Sequence, residues 1–333
     1  MDEMTEVREL RAGAPAPDRA RLAPGRARLL DAARTGTRRH RVRVRPQFVI
    51  VGVAAAVTAV AVTASLLVGR EDTRELTTPA AALTNADLKG MSAAELLERA
   101  AEAVERQPSA VEPKAKQWIY TKDAVEGAKE LMEPLSDRAR FPEKWIRYDG
   151  GAMAGEDVAR ENGRAKVQVT ELDMENEAEN GTEEDDGRSP RQMYRFLETL
   201  PTDAKGALKA LRKQDAVTDE KDRDQAHHDY QEISALLRAD LKPSQGLAGL
   251  YRALATLPHL DVGDHLVEDA AGRRAVALRY SGNDSGDELV EREWLIDPET
   301  YEVLGLRMIR GGELVTGDAT VTVAVVDEPG ERG

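Results

Sequence analysis

The chain has 333 residues, of which 41% are apolar, 4% are aromatic and none is cysteine. Its core must be built mainly from Leu, Val, Ile and Ala, and the lack of cysteine excludes disulfides, a Cys-ligated zinc site and a lipid-modified N-terminal Cys. The net charge of -14 is unevenly distributed, because residues 1–47 carry twelve Arg against six Asp or Glu, which leaves -20 for the remainder. Such an acidic remainder disfavours binding to nucleic acid.

Residues 1–47 form a basic tail with two weak helical patterns, over 3–11 and 18–33. The second pattern places leucines among arginines, as in an amphipathic basic helix. Two interpretations remain open. Either the tail is solvated and lies on the anionic surface of a lipid bilayer, or residues 1–37 become ordered on a cytoplasmic regulatory protein.

An uncharged apolar run follows, from Phe48 to Val68. As a helix it would be about 31 Å long, close to the hydrocarbon thickness of a bilayer. A buried core helix seldom runs this long without a charge, and a cleaved signal peptide normally has a much shorter basic leader than 47 residues. The run therefore predicts a transmembrane helix.

The charges beside this run predict its orientation. Five arginines precede it, whereas the charges of Arg70, Glu71 and Asp72 behind it nearly cancel. The five are Arg38, Arg39, Arg41, Arg43 and Arg45. By the positive-inside rule, the N-terminus is cytoplasmic and the C-terminal region is extracytoplasmic.

We therefore predict a single-pass protein of the cell membrane with four parts. These are a basic cytoplasmic tail at 1–47, a transmembrane helix at 48–69, a stalk at 70–90 and an extracytoplasmic domain at 91–328.

The outer domain opens with a helix and continues with short alternating segments. Ser92 and Glu95 have the spacing of a capping box, and Gln107–Pro108 ends the helix. Apolar or aromatic residues then occupy every second position in three segments, which are 116–122 with Trp118 and Tyr120, 144–149 with Ile146 and Tyr148, and 165–172 with Val167 and Val169. This period predicts antiparallel strands with one solvated face, and the aromatic residues favour a sheet core over a ligand platform.

Two features of the outer domain contain residue types that bind metals. The acidic run 171–187 lacks the alternate ligand spacing and terminal Glu of a calcium loop, so a solvated loop is favoured. His227 and His228 are adjacent and would point to different faces of a helix, which makes them a poor metal pair. The sequence predicts no metal and no cofactor.

In the second half of the outer domain, the spacing of apolar residues changes twice, first to that of helices and then back to that of strands. Leucines at helical spacing over 191–258 predict three or four amphipathic helices. Strands are then predicted at 274–280, 289–297, 301–310 and 314–326, with a type I turn at 297–300 between the middle two. The predicted class is α+β: a transmembrane helix followed by a mainly antiparallel, curved sheet with a helical insert.

Three segments carry a resemblance to a known family: Tyr194–Asp203, Leu250–Pro258 and Trp294–Gly305. Together with the basic tail and the single apolar run, they resemble an actinobacterial family of single-pass membrane proteins often encoded beside extracytoplasmic-function sigma factors. That resemblance implies a role in envelope signalling. The strand pair around 297–300 is also similar to lipoprotein-carrier and sigma-regulator domains of the periplasm, which implies a sheet curved around helices.

No enzymatic motif stands out. The chain lacks a Gly-x-Ser-x-Gly elbow, a phosphate-binding Gly-Lys-Ser/Thr loop and a His-Glu-x-x-His pair, and its carboxylates show no catalytic pattern. Two hypotheses of non-enzymatic function remain. One is a binding or sensing protein linked to sigma-factor signalling, and the other is an anchored carrier module that binds a lipid or lipoprotein.

Overall fold

The computed structural model describes residues 82–128, 132, 135–161, 164–174, 187–217, 224–282 and 290–333. All of them belong to the second of two compact units, Val62–Gly333. The apolar run from Phe48 to Val68 and its five flanking arginines lie outside the described residues, as do the basic tail and most of the acidic run. Among the helices that are described, none combines the length and apolarity that crossing a bilayer requires.

The described residues form an α+β fold, as predicted. The helices are α1 (Asn85–Leu88), α2 (Ala93–Glu105), α3 (Asp137–Arg140), α4 (Pro190–Thr199), α5 (Ala204–Gln214), α6 (Gln225–Leu237) and α7 (Ser244–Leu254). The strands are β1 (Trp118–Gly127), β2 (Glu143–Arg147), β3 (Ala152–Glu161), β4 (Arg164–Glu171), β5 (Leu260–Val262), β6 (Val267–Glu268), β7 (Arg274–Tyr280), β8 (Val290–Ile296), β9 (Val303–Arg310) and β10 (Glu313–Val326).

The strands form one sheet in the order β4-β3-β2-β1-β10-β9-β8-β7-β5, with β6 paired to β7. Each described pairing between named strands is antiparallel. The first and last strands lie side by side at the centre, where Tyr120 is opposite Ala324. The two halves of the sheet are therefore joined by the first and last strands, while α4 to α7 come between β4 and β5 in the chain.

One face of the sheet packs against the helices. Tyr230 of α6 stacks on Tyr280 of β7 with ring centroids 3.6 Å apart, and its hydroxyl accepts a hydrogen bond of 3.1 Å from the Trp294 indole of β8. These aromatic side chains are at most 4% exposed. They join the helical layer to the sheet in the largest hydrophobic core of the described fold.

Local signals start the helices at the observed positions. The Ser92 hydroxyl accepts a hydrogen bond from the Glu95 N–H, as a capping box requires, while the Glu95 carboxylate pairs with Arg99 at 2.7 Å. Ser189 and Gln192 form a full capping box at the start of α4. Such caps satisfy N–H groups that the first turn of a helix leaves without a partner.

The folded part starts earlier than the predicted boundary at residue 91. Helix α1 lies within the segment assigned to the stalk, and its last residue, Leu88, is buried in the main core together with Leu83. The Leu83 N–H also donates to the Pro298 carbonyl at 3.0 Å. Residues 82–90 are thus part of the sheet-and-helix fold.

Candidate functional site

The sheet face opposite the helices carries a cluster of aromatic residues. Trp118 and Tyr120 alternate along β1, and Tyr120 is directly opposite Trp145 of β2. The rings of Tyr120 and Trp145 are 5.1 Å apart and tilted by 32°. Ala154 of β3 is opposite Trp145 on the same face, and Ala152 lies two residues before it, so small side chains leave room for the indole. The aromatic residues and alanines thus form a second hydrophobic core on this face of the sheet.

The last residues of the chain fold back over this cluster. Strand β10 ends at Val326, and a turn follows at Pro329–Gly330. The Glu331 carboxylate closes the turn by accepting hydrogen bonds from the N–H groups of Asp327 and Glu328, at 3.1 and 3.2 Å. We call residues 327–333 the C-terminal tail. The tail-covered patch is the sheet surface beneath it, formed by Trp118, Tyr120, Glu143, Trp145, Ala152 and Ala154.

Trp145 and Glu143 make the main contacts with the tail. The Trp145 indole N–H donates to the main-chain carbonyl of Glu331 at 2.7 Å. The Arg332 guanidinium lies 5.7 Å from the centre of the Trp145 ring and pairs with the Glu143 carboxylate at 2.7 Å. The patch therefore binds one main-chain carbonyl and one cation of the folded-back tail.

The electrostatics of the patch favour a positive guest. Burial raises the pKa of the Tyr120 hydroxyl, and the nearby Glu143 carboxylate raises it further, while Arg332 opposes the rise. Tyr120 thus remains neutral, and Glu143 supplies the negative charge of the patch. Hydrogen bonding, stacking and one ion pair are the chemistry of a binding surface.

A second polar cluster lies on the helix side of the sheet. The Asp123 carboxylate of β1 is 3.9 Å from the Lys144 ammonium, and the Thr121 hydroxyl donates to Asp240 at 3.2 Å. Burial raises the pKa of Asp123, with Asp240 and Asp318 adding to the rise. Among the described residues, no group of His, Cys, Asp or Glu has the arrangement of a metal site.

The two histidines considered as metal ligands lie on α6. His227 is buried, and the rings of His227 and His228 are 6.3 Å apart with an angle of 79° between their planes. The two rings thus belong to adjacent positions of one helix.

Sequence reasoning identified two of the six patch residues. It placed Trp118 and Tyr120 on one strand face, and the structure buries both. It selected Ile146 and Tyr148 on the next strand and passed over Trp145 and Glu143, which lie on the opposite face. The sequence does contain a signal for them, because Glu143, Trp145 and Arg147 occupy every second position and therefore share one strand face. The role of Arg332 had no local signal.

Comparisons with known proteins give a limited result. No protein-family model and no curated protein matches this chain. Among solved structures, the chain is similar to the MucA/MucB complex of Pseudomonas aeruginosa, with 15% identity over 72% of this chain and a TM-score of 0.24. It is also similar to MucB in complex with MucA(peri), with 17% identity over 72% of this chain and the same TM-score. The match spans 59% of either solved chain.

Proposed function

We propose that this chain is a membrane-anchored binding protein whose extracytoplasmic domain holds a segment of a partner protein on the tail-covered patch. The observation that carries the proposal is the hydrogen bond from the Trp145 indole to the Glu331 main-chain carbonyl. A contact with the main chain is independent of the guest's side chains, so it suits the recognition of a polypeptide. No enzymatic activity is part of the proposal.

The membrane anchor rests on the sequence. The apolar run from Phe48 to Val68 is long enough to cross a bilayer, and Arg38 to Arg45 favour a cytoplasmic N-terminus. With this orientation, the outer domain meets its partner outside the cytoplasm, and residues 1–37 can contact a cytoplasmic regulatory protein. A link to sigma-factor envelope signalling follows from the family resemblance described above.

The lipid-carrier alternative has less support. A carrier that encloses an apolar molecule between its sheet and its helices needs open space there. In the described fold, large side chains such as Tyr230, Leu250 and Trp294 fill that layer and are at most 2% exposed.

Photo-crosslinking tests the proposal. A photoreactive amino acid is placed at Val169, which is 46% exposed and belongs to β4 on the same sheet face as the patch. The full chain is produced in membranes of its native host. We expect a discrete adduct with a second protein, joined at Val169 and identified by mass spectrometry. The same probe at Val111, which is 82% exposed, provides the positional control and should not give this adduct.

Substitution of the indoles adds specificity to the test. Trp145→Phe keeps an aromatic ring but removes the N–H donor, so it should reduce the adduct severalfold. Trp294→Phe makes the same chemical change, the loss of an indole N–H donor, in the core between the sheet and the helices and should leave the adduct in place. A Val169 probe that joins only lipid would support the carrier alternative and overturn the protein-binding function.

A further inference from the structure

The C-terminal tail is held by a small number of polar contacts at the protein surface. Asp327, Glu328, Glu331, Arg332 and Gly333 are all exposed and Pro329 is half-buried, so the tail adds no fully buried apolar side chain to the core. Its attachment depends on the Trp145 hydrogen bond, the pair between Arg332 and Glu143, the stacking of Arg332 on the indole, and a hydrogen bond of 3.0 Å from the Gln117 amide to the Asp327 carboxylate. An exposed ion pair is individually weak, and the partly buried indole hydrogen bond is made to a main-chain carbonyl, a group that any polypeptide offers. A second polypeptide with the same chemistry can therefore replace the tail.

The surface beneath the tail is formed by residues of the paired strands β1, β2 and β3. Tyr120 and Trp145 are placed by paired central strands, and Ala152 and Ala154 come from the next strand. The Glu143 side chain is 17% exposed, whereas the Arg332 side chain is 50% exposed. The acceptor for the cation is thus part of the rigid surface, and the cation belongs to the replaceable segment.

The same geometry selects arginine among the possible cations. A guanidinium is planar, so one group can stack on the indole and donate an N–H to the carboxylate at the same time. The ammonium of lysine has no flat face and loses the stacking part of this contact. The neutral Tyr120 hydroxyl beside Glu143 adds no competing charge.

We propose that the patch recognises an arginine-containing segment of the partner protein, and that the C-terminal tail occupies the same place as a competitor within the chain. This inference rests on the proposed function and adds the chemistry of the partner and its regulation. The tail sequence Glu331-Arg332-Gly333 represents the minimal guest: a main-chain carbonyl for Trp145, followed by an arginine for Glu143. A partner binds when it displaces the tail.

A peptide-binding experiment tests the recognition of arginine. The full chain and a variant that ends at Val326 are placed in lipid nanodiscs, and a labelled peptide with the sequence of residues 326–333 is titrated by fluorescence anisotropy. We expect the peptide to bind the shortened variant at least tenfold more tightly than the full chain. Replacing the peptide's arginine by alanine should weaken binding at least tenfold, and replacing it by lysine should have a smaller effect. Equal binding of all three peptides would overturn the inference.

A second variant covers the case in which the shortened chain does not fold. Arg332→Ala keeps the full length and removes only the cation of the tail, so it should raise the yield of the Val169 adduct severalfold. Arg274→Ala, at an exposed position on β7, is the matched control and should leave the yield unchanged. An adduct yield that stays constant in Arg332→Ala would contradict competition by the tail.

The two proposals fail in different ways. If the Val169 adduct forms but the crosslinked partner segment contains no arginine near the joined residue, the inference about arginine fails and the protein-binding function stands. If a folded chain gives neither a protein adduct nor peptide binding, both proposals fail.

Discussion

Asp123 is charged in an unfavourable position. Burial raises the pKa of its carboxyl group above the usual value of about 3.9, and Lys144 compensates only from 3.9 Å. The folded state therefore binds a proton more readily than the unfolded state, and stability falls as the pH rises from about 4 through the folded pKa. We expect Asp123→Asn to raise the free energy of unfolding at pH 7 by about 1 kcal/mol, the usual scale of a single substitution. Both proteins should be equally stable near pH 3 in urea titrations.

Asp149 provides the matched control, because the pKa of its carboxyl group is shifted in the opposite direction. Burial alone would raise the pKa of its carboxyl group, but hydrogen bonds from Arg147, Lys116 and the Gly151 N–H outweigh this effect and lower the pKa to about 2. Its contribution to stability is present above about pH 4 and is lost as the pH falls towards 2. Asp149→Asn should therefore destabilise the protein at pH 7. A loss of stability at pH 7 in both variants would show that the Asp123 charge is not unfavourable.

Individual residues also show where sequence patterns reach their limit. Trp118 and Tyr120 were correctly placed on one face, because alternation along a strand is a local property. The expectation that one face of the sheet is solvated does not hold at the patch, where Trp145 is fully buried. The covering residue Arg332 follows Trp145 by nearly two hundred positions, and no spacing rule connects two such distant segments.

Helix α7 depends on two glycines for its position. A Cβ atom at Gly246 would lie 2.3 Å from the Leu197 carbonyl oxygen, and one at Gly249 would lie 2.3 Å from the Pro201 carbonyl oxygen. Alanine favours a helix over glycine by about 1 kcal/mol, but these contacts with backbone atoms should outweigh that gain. We expect Gly246→Ala and Gly249→Ala each to lower the free energy of unfolding by about 1–3 kcal/mol, measured by urea denaturation.

A glycine in open space provides the control for this prediction. A Cβ atom added at Gly155 of β3 would have no other atom within 4 Å, so Gly155→Ala should change stability by no more than about 0.5 kcal/mol. If Gly249→Ala were more stable than the parent, α7 would not pack closely against the segment that follows α4.

The elements found from sequence are those with a strong local pattern. Helices α4 to α7 repeat leucines or alanines at helical spacing, and β7 was predicted with its observed bounds. Strand β3 was not predicted, because it places Ala152 and Ala154 where a strand normally has large apolar residues. These alanines fit beneath the Trp145 ring. The small residues of β3 are thus explained by the large side chain on the neighbouring strand β2, which the local sequence of β3 does not show. The short strands β5 and β6 have too few residues to show a period.

At the scale of the whole molecule, the sequence divides basic from acidic residues on the two sides of one apolar run. The absence of cysteine allows a direct test of this partition, because a single introduced thiol has no background. Val111→Cys places a thiol at an exposed position of the outer domain, and Ala16→Cys places one in the basic tail. In intact cells, a membrane-impermeant maleimide should label the first variant and not the second.

The labelling pattern follows from the cost of moving charge across a bilayer. In the proposed topology, the apolar run holds a region of net charge near -20 on one side of the bilayer and five clustered arginines on the other. Permeabilising the cells should make Ala16→Cys reactive and leave the labelling of Val111→Cys unchanged, while the cysteine-free parent stays unlabelled throughout. Labelling of Ala16→Cys in intact cells would contradict the predicted orientation, because it would place the N-terminal tail outside the cytoplasm. Release of the full chain from membranes by a carbonate wash would contradict the predicted membrane anchor, because a helix that spans the hydrocarbon layer stays with the lipid under those conditions.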